Sequence, residues 1–277
     1  MRRAACILAV ALLLVAGSTI AAASERSVEY LAVGDSLAFG YNPLATNPSN
    51  PASFVGYPDA VATALRDHLT NASCPGETSS HYIDLAGSDN SCGQWRAAFP
   101  LHAMYTGTQL AYVDTFLQSH PKTQLVTIDM GANDLNVLIK ACGGRANAPC
   151  ILAGLPAMLD VLSANLDTIY GHIRDLDGYR HKLVALTYPS LDYGDALETG
   201  VVLQINAVVV ERTLAWGGIV ADGFGAWASA STAYGGDTCA AGLRIPTPLL
   251  QTPCDDHPTA IGHELLAQAI MSALRSD

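Results

Sequence analysis

The sequence predicts an α/β fold built on a parallel sheet with helices on both faces. Three observations lead there: short apolar runs of strand length, helical-period segments that alternate with them, and a Gly, Pro or polar turn closing nearly every run. Strands that alternate with helices of this length pair in parallel and are covered on both sides. Ligands of such sheets bind outside the carboxyl ends of the strands, so chemistry is sought just after each run.

The elements follow in order. Residues 27–33 alternate and end in an apolar triplet before Gly34, which predicts a short buried strand; Val55, Ala60, Val61, Ala64 and Leu65 then give helical spacing over 52–67. Residues 68–73 form a weaker strand that runs into Cys74-Pro75-Gly76, and the polar, Gly-rich stretch up to about residue 100 carries no readable pattern. An amphipathic helix over 108–119 precedes the clearest strand, 124–130, which stops at Gly131. After the stretch between Cys142 and Cys150 comes a long helix over 151–175, then a strand over 182–187, a helix over 197–215 and a short strand over 218–221. Residues 223–257 read mostly as loop, and a helix over 260–274 closes the chain.

The first residues have the form of a secretory signal: Arg2 and Arg3, an uncharged apolar run from Ala4 to Ile20, and small residues Ala21 to Ser24. Residues 1–23 are expected to be cleaved, leaving residues 24–277 as a single domain without a membrane span. Its 12 basic and 25 acidic side chains give a formal charge of −13, which repels phosphate backbones and argues against nucleic acid as a partner. Six cysteines remain, an even set in an exported chain. They fall in sequential pairs beside turn residues, and the pairing Cys74–Cys92, Cys142–Cys150 and Cys239–Cys254 is expected. No C-x-x-C spacing or adjacent His supports a metal site, and no cofactor motif appears.

Four short stretches stand where the strands end or in the closing loop. Gly34-Asp35-Ser36-Leu37 follows the first strand and presents a serine hydroxyl at the sheet edge. Gly76 follows the second and lets a backbone N–H approach a developing oxyanion. Gly131-Ala132-Asn133-Asp134 follows the third. Asp134 is expected to cap a helix there, leaving the neutral amide of Asn133 free as a donor. Near the end, Asp255-Asp256-His257-Pro258 lies in the loop that opens the last helix, and His257 is the natural base for Ser36, because a serine hydroxyl is a weak nucleophile until an imidazole takes its proton.

Taken together and in this order, these strings resemble blocks I, II, III and V of the GDSL/SGNH hydrolases over essentially the whole chain after residue 23. The resemblance implies a flavodoxin-like, three-layer α/β/α fold and ester hydrolysis through an acyl-enzyme. It implies Ser36 as nucleophile, His257 as general base and then acid, and an oxyanion hole made by the N–H groups of Ser36 and Gly76 with the Asn133 side chain. The family commonly has Asp three positions before the His, where this chain has Cys254; Asp255, Asp256 or a backbone carbonyl is left to orient the imidazole, with Asp255 named first. The expected substrate is a small-molecule or lipid carboxylic ester, as for an esterase or lipase. A glycan O-deacetylase or phospholipase would use the same residues, and a binding module that has lost catalysis is the reading of another class. The joint presence of Ser36, Gly76, Asn133 and His257 argues against the last.

Overall fold

The computed structural model describes residues 28–247 and 253–276; the segment read as a leader lies outside them. Its centre is a five-stranded parallel sheet of β1 (Glu29–Gly34), β2 (His68–Asn71), β3 (Thr123–Asp129), β4 (Lys182–Leu186) and β5 (Ile219–Ala221), in the order β2-β1-β3-β4-β5. Tyr30, Leu31, Ala32 and Val33 of β1 are all fully buried, as are Val126 of β3 and Leu183 and Val184 of β4. That is why these strands read as continuous apolar runs: both faces are covered, and each buried large side chain contributes about 1.5–3 kcal/mol.

The helices form two groups. Helix α10 (Ala260–Ser276) packs against both α2 (Tyr57–Leu65) and α9 (Gly223–Ser231), and it lies on β4 and β5. The second group comprises α3 (Ser79–Ile83), α5 (Gln109–Ser119), α6 (Ala132–Ala141), α7 (Ala148–Gly171) and α8 (Ala196–Ala215). The short helices α1 (Ser36–Phe39) and α4 (Cys92–Ala98) flank the carboxyl edge of β1 and β2. Together with one π turn, α7 reaches Leu176 and is long and apolar enough, by length and composition, to cross a membrane; here it packs against α3, α6 and α8 as a flank of the sheet.

One stretch without a readable pattern gains structure, and two readings are corrected. The stretch 79–100 holds α3 and α4, which polar and Gly-rich composition hid. Residues 223–257 are not mostly loop: they contain α9 and the antiparallel strands β6 (Arg244–Pro246) and β7 (Cys254–Pro258). His257 therefore stands in a strand rather than in the loop before α10. The three disulfides Cys74–Cys92, Cys142–Cys150 and Cys239–Cys254 are all present, with Cα atoms 5.6, 5.7 and 5.8 Å apart. Cys74, Cys92 and Glu77 cluster within metal-ligand reach, but the disulfide occupies both sulfurs.

Parallel register brings the strand ends to one edge, with Ala32 opposite Asn71 and Gly34 opposite Asp129. Whatever follows β1, β2, β3 and β4 meets there.

Candidate active site

The turn after β1 depends on a glycine. Gly34 has φ +127°, and a Cβ there would lie 2.3 Å from the Asp129 carbonyl oxygen, so no side chain fits. Gln109, the first residue of α5, brackets its backbone: Gly34 N donates to Oε1 at 2.6 Å, and Nε2 donates to Gly34 O at 3.1 Å. Gln109 Nε2 also donates to Glu77 Oε2 at 3.2 Å, and the buried Glu77 meets His81 Nδ1 at 2.5 Å. Burial pushes the Glu77 carboxyl above its ordinary range, and the hydrogen bond to Glu77 raises His81. Asp35 then caps α1 by accepting from Leu37 N at 2.9 Å, which leaves Ser36 on the first position of that turn, 9% exposed.

The second Asp35 oxygen ties the turn to the next two strands. It accepts from Asn133 Nδ2 at 3.1 Å and from the Tyr188 hydroxyl at 2.7 Å. Beneath it, Asp35 N donates to Asp129 Oδ2 at 3.3 Å, and the Tyr57 hydroxyl donates to Asp129 Oδ1 at 2.8 Å. Burial first, and the neighbouring Asp35 charge second, push Asp129 well above the usual carboxylate range. A like charge nearby in a low-dielectric site disfavours ionisation, which is why Asp35 adds to the effect of burial on Asp129.

Gly76 has φ +83°, and Asn133 is the second residue of α6. The N–H groups of Ser36 and Gly76 find no acceptor among the described residues. Asn133 spends one amide hydrogen on Asp35, and its oxygen accepts from Asn90 Nδ2 at 2.7 Å and Asn136 Nδ2 at 3.4 Å. Asp134 does not cap α6. The cap position belongs to Gly131, while Asp134 accepts from Ser79 N at 3.1 Å and Ser79 Oγ at 2.5 Å and so fastens α6 to α3.

On β7, His257 Nδ1 is hydrogen-bonded to Asp255 Oδ1, which also accepts from His257 N at 3.0 Å. Partial burial works to raise the Asp255 carboxyl, but the His257 hydrogen bonds and charge, with Arg244, outweigh it and hold the group below its ordinary range. Asp256 points elsewhere, accepting from Arg145 at 2.7 Å and Arg244 at 3.5 Å. The Tyr41 ring packs on the imidazole with centroids 4.6 Å apart.

Ser36, Gly76, Asn133 and His257 line one cavity of about 800 Å³. The chain thus gathers all four sequence-selected groups at one place, with Asp255 behind the imidazole. Ser36 makes no hydrogen bond to His257 among the described residues. The aliphatic wall comes from α6, α7 and α8 (Ile139, Ile151, Val202 and Ile205), on the β3–β4 side of the nucleophile. On the β2 side Trp95 and Phe99 stand beside the polar Asn90 and Gln94. Sequence reasoning missed Gln109, Asp129, Tyr188 and Asn90. A polar residue at the end of the apolar strand 123–129 marks Asp129, but nothing local marks the others.

A five-stranded parallel sheet sandwiched by helices, with a serine turn at the end of its second strand in space and a histidine reaching it from the chain's end, is the α/β/α fold of the SGNH hydrolases. The chain belongs to the GDSL-like lipase/acylhydrolase family, whose model matches residues 32–265. Its fold is shared with the extracellular lipase from Streptomyces rimosus, 20% identical over 89% of this chain and 100% of that one, with a TM-score of 0.57. Phospholipase A1 from Streptomyces albidoflavus NA297 is 17% identical over 89% and 99%, TM-score 0.58. The acetylxylan esterase Axe2 from Geobacillus stearothermophilus is 16% identical over 89% and 94%, TM-score 0.51. No curated protein matches in sequence.

Proposed function

We propose that the protein is an exported serine hydrolase of carboxylic esters, acting as an esterase or lipase with Ser36 as nucleophile and His257 as base. One observation carries this reading: the imidazole has its Nδ1 committed to Asp255 and lines the same cavity as Ser36, Gly76 and Asn133. With Nδ1 committed, Nε2 is the nitrogen left for the Ser36 proton. Substrate binding must close the remaining gap between hydroxyl and ring, a common property of empty sites.

Ser36 Oγ attacks the acyl carbonyl carbon as its proton passes to His257 Nε2. The carbonyl oxygen takes up negative charge, and the free N–H groups of Ser36 and Gly76 with the second amide hydrogen of Asn133 are its donors. Each such donor contributes about 3–4 kcal/mol to the transition state. Collapse breaks the ester C–O bond, and His257 protonates the leaving alcohol. Water, deprotonated by the same ring, then releases the carboxylic acid and restores Ser36. Asp255 holds the tautomer and stabilises the imidazolium.

The aliphatic wall of Ile139, Ile151, Val202 and Ile205 favours an acyl chain longer than acetyl, because an acetyl group would leave that apolar surface in contact with water. A glycan O-deacetylase is the second reading, supported by Trp95 with Asn90 and Gln94 on the opposite side, where a ring of hydroxyls could stack and bond. Three disulfides support export, since they persist in oxidising compartments.

The test is fluorophosphonate labelling of wild type and Ser36→Ala, with p-nitrophenyl ester turnover measured from acetyl to dodecanoyl. Labelling that disappears in Ser36→Ala, with kcat/KM rising to a medium or long acyl chain, supports the proposal. An acetyl optimum moves it to the deacetylase, and a wild type that neither labels nor turns over refutes catalysis at Ser36.

A further inference from the structure

We infer that Asn90 is a positioning residue of the oxyanion hole, and that the Cys74–Cys92 disulfide is what delivers it. The inference rests on the acyl-transfer reading above, in which Asn133 donates to the oxyanion. A side-chain amide has two nearly isosteric orientations, and only one is useful here. With nitrogen toward the cavity Asn133 stabilises developing negative charge; with oxygen there it opposes it.

Two contacts select the useful orientation. Asp35 Oδ2 is an acceptor 3.1 Å from Asn133 Nδ2, and Asn90 Nδ2 is a donor 2.7 Å from Asn133 Oδ1. The remaining donor to that oxygen, Asn136, stands at 3.4 Å, the long limit for such a bond. Asn90 is therefore the principal lock on the oxygen side. It is also outside every motif string that the sequence offered.

Its placement is costly to the backbone and covalently secured. Asp89 accepts from the N–H groups of Ser91, Cys92 and Gly93 at 2.9, 2.8 and 2.9 Å, which starts α4 immediately after Asn90. Between Asn90 and Cys92, Ser91 is held at φ +130°, a conformation that residues with a Cβ avoid unless the surroundings impose it. The imposing constraint is the disulfide, with both sulfurs buried in a small apolar cluster with Phe39, Phe54 and Leu101. Gly76 lies two residues after one cysteine and Asn90 two residues before the other. The segments touch so closely that a Cβ on Gly76 would sit 2.9 Å from the Asn90 carbonyl oxygen. A single S–S bond thus sets both the backbone donor and the residue that aims the side-chain donor.

The experiment compares Asn90→Ala, the isosteric Asn90→Asp, Asn133→Ala and the Asn90→Ala/Asn133→Ala double variant in the full secreted chain, reading kcat, KM and melting temperature on one p-nitrophenyl ester. Losing the lock should lower kcat at least about tenfold, less than the 10²–10³-fold cost of removing a donor outright, with KM within about twofold. Asn90→Asp, which keeps the shape but offers only acceptors, should lose at least as much, and it carries the test if the alanine variant misfolds. The double variant should be no slower than Asn133→Ala, because Asn90 acts only through Asn133. Unchanged kcat in Asn90→Asp, or losses that multiply in the double variant, would overturn the inference while Ser36 still labels. Absence of fluorophosphonate labelling in wild type would instead remove the acyl-transfer reading beneath it.

Discussion

Ser36 and His257 stand on supports of different kinds. The serine turn rests on a buried polar network in which Asp35 and Asp129 are each 1% exposed and Gln109 is fully buried. The imidazole rests on a two-stranded ribbon near the surface, where the His257 and Asp255 side chains are 22% and 20% exposed. A dry network is expensive to disturb, because every group left unpaired keeps its desolvation cost. A ribbon bordered by water is cheap to disturb in stability, although the rate depends on its geometry. Substitutions on the serine side should therefore be felt in folding, and those on the histidine side in turnover.

The largest effect expected from this contrast is Asp255→Asn. An amide cannot hold the imidazole tautomer or balance imidazolium, so kcat should fall by about 10³–10⁴-fold with melting shifted by no more than a few degrees. A loss under tenfold would show that something other than Asp255 orients the ring. Next comes Asp129→Ala, which orphans the Tyr57 hydroxyl and the Asp35 N–H and should cost about 2–3 kcal/mol in urea unfolding. Asp129→Asn should cost less than about 1 kcal/mol, because an amide carries no charge for burial and Asp35 to oppose, the two causes that push this carboxyl up. If Asn proves as damaging as Ala, the hydrogen bonds of Asp129 rather than its buried charge set the cost of losing it.

A smaller effect is expected on acidification. His263 on α10 is 6% exposed with no partner for Nδ1, and burial, aided by the charge of His257, drives its pKa down to about 3 from 6.5. Between those two values the unfolded chain binds a proton there that the folded chain refuses, so the stability this site contributes is lost as pH falls, at up to about 1.4 kcal/mol per unit. Replacement by leucine removes the refused proton. His263→Leu should melt above wild type by a margin that widens from pH 7 to pH 5, and a margin independent of pH would contradict the buried neutral ring. The smallest effect belongs to Asp256→Asn. Its ion pairs with Arg145 and Arg244 involve a side chain half exposed to water, so turnover should stay within about twofold and stability within about 0.5 kcal/mol.

How legible the molecule was depended on whether a signal was local. Strands β1, β3 and β4 declared themselves because burial on both faces demands unbroken apolar runs. Helix α9 did not: Gly223, Gly225, three Ala and two Ser around a single tryptophan carry little helical signal, and only the complete burial of Trp227 against Gly262 and the rest of α10 explains it. Helix α4 was hidden because its start depends on Asp89 capping and on a disulfide partner 18 residues away. In the site, the residues that touch substrate in the proposed mechanism were readable from their strings. Those that aim them, Asn90, Gln109 and Tyr188, come from segments far along the chain and acquire meaning only by contact.

The sequence by itself determined the class of fold, the order of the five sheet strands and of α2, α5, α7, α8 and α10, the cysteine pairs and the four groups that converge on the cavity, since each is written in residue type, period or spacing. Which aspartate serves His257 was a matter for the tertiary structure. The sequence named Asp255 first but left Asp256 and a backbone carbonyl open. Once β6 draws 254–258 into a strand, side chains alternate across it, so Asp255 shares the face of His257 while Asp256 turns to Arg145 and Arg244.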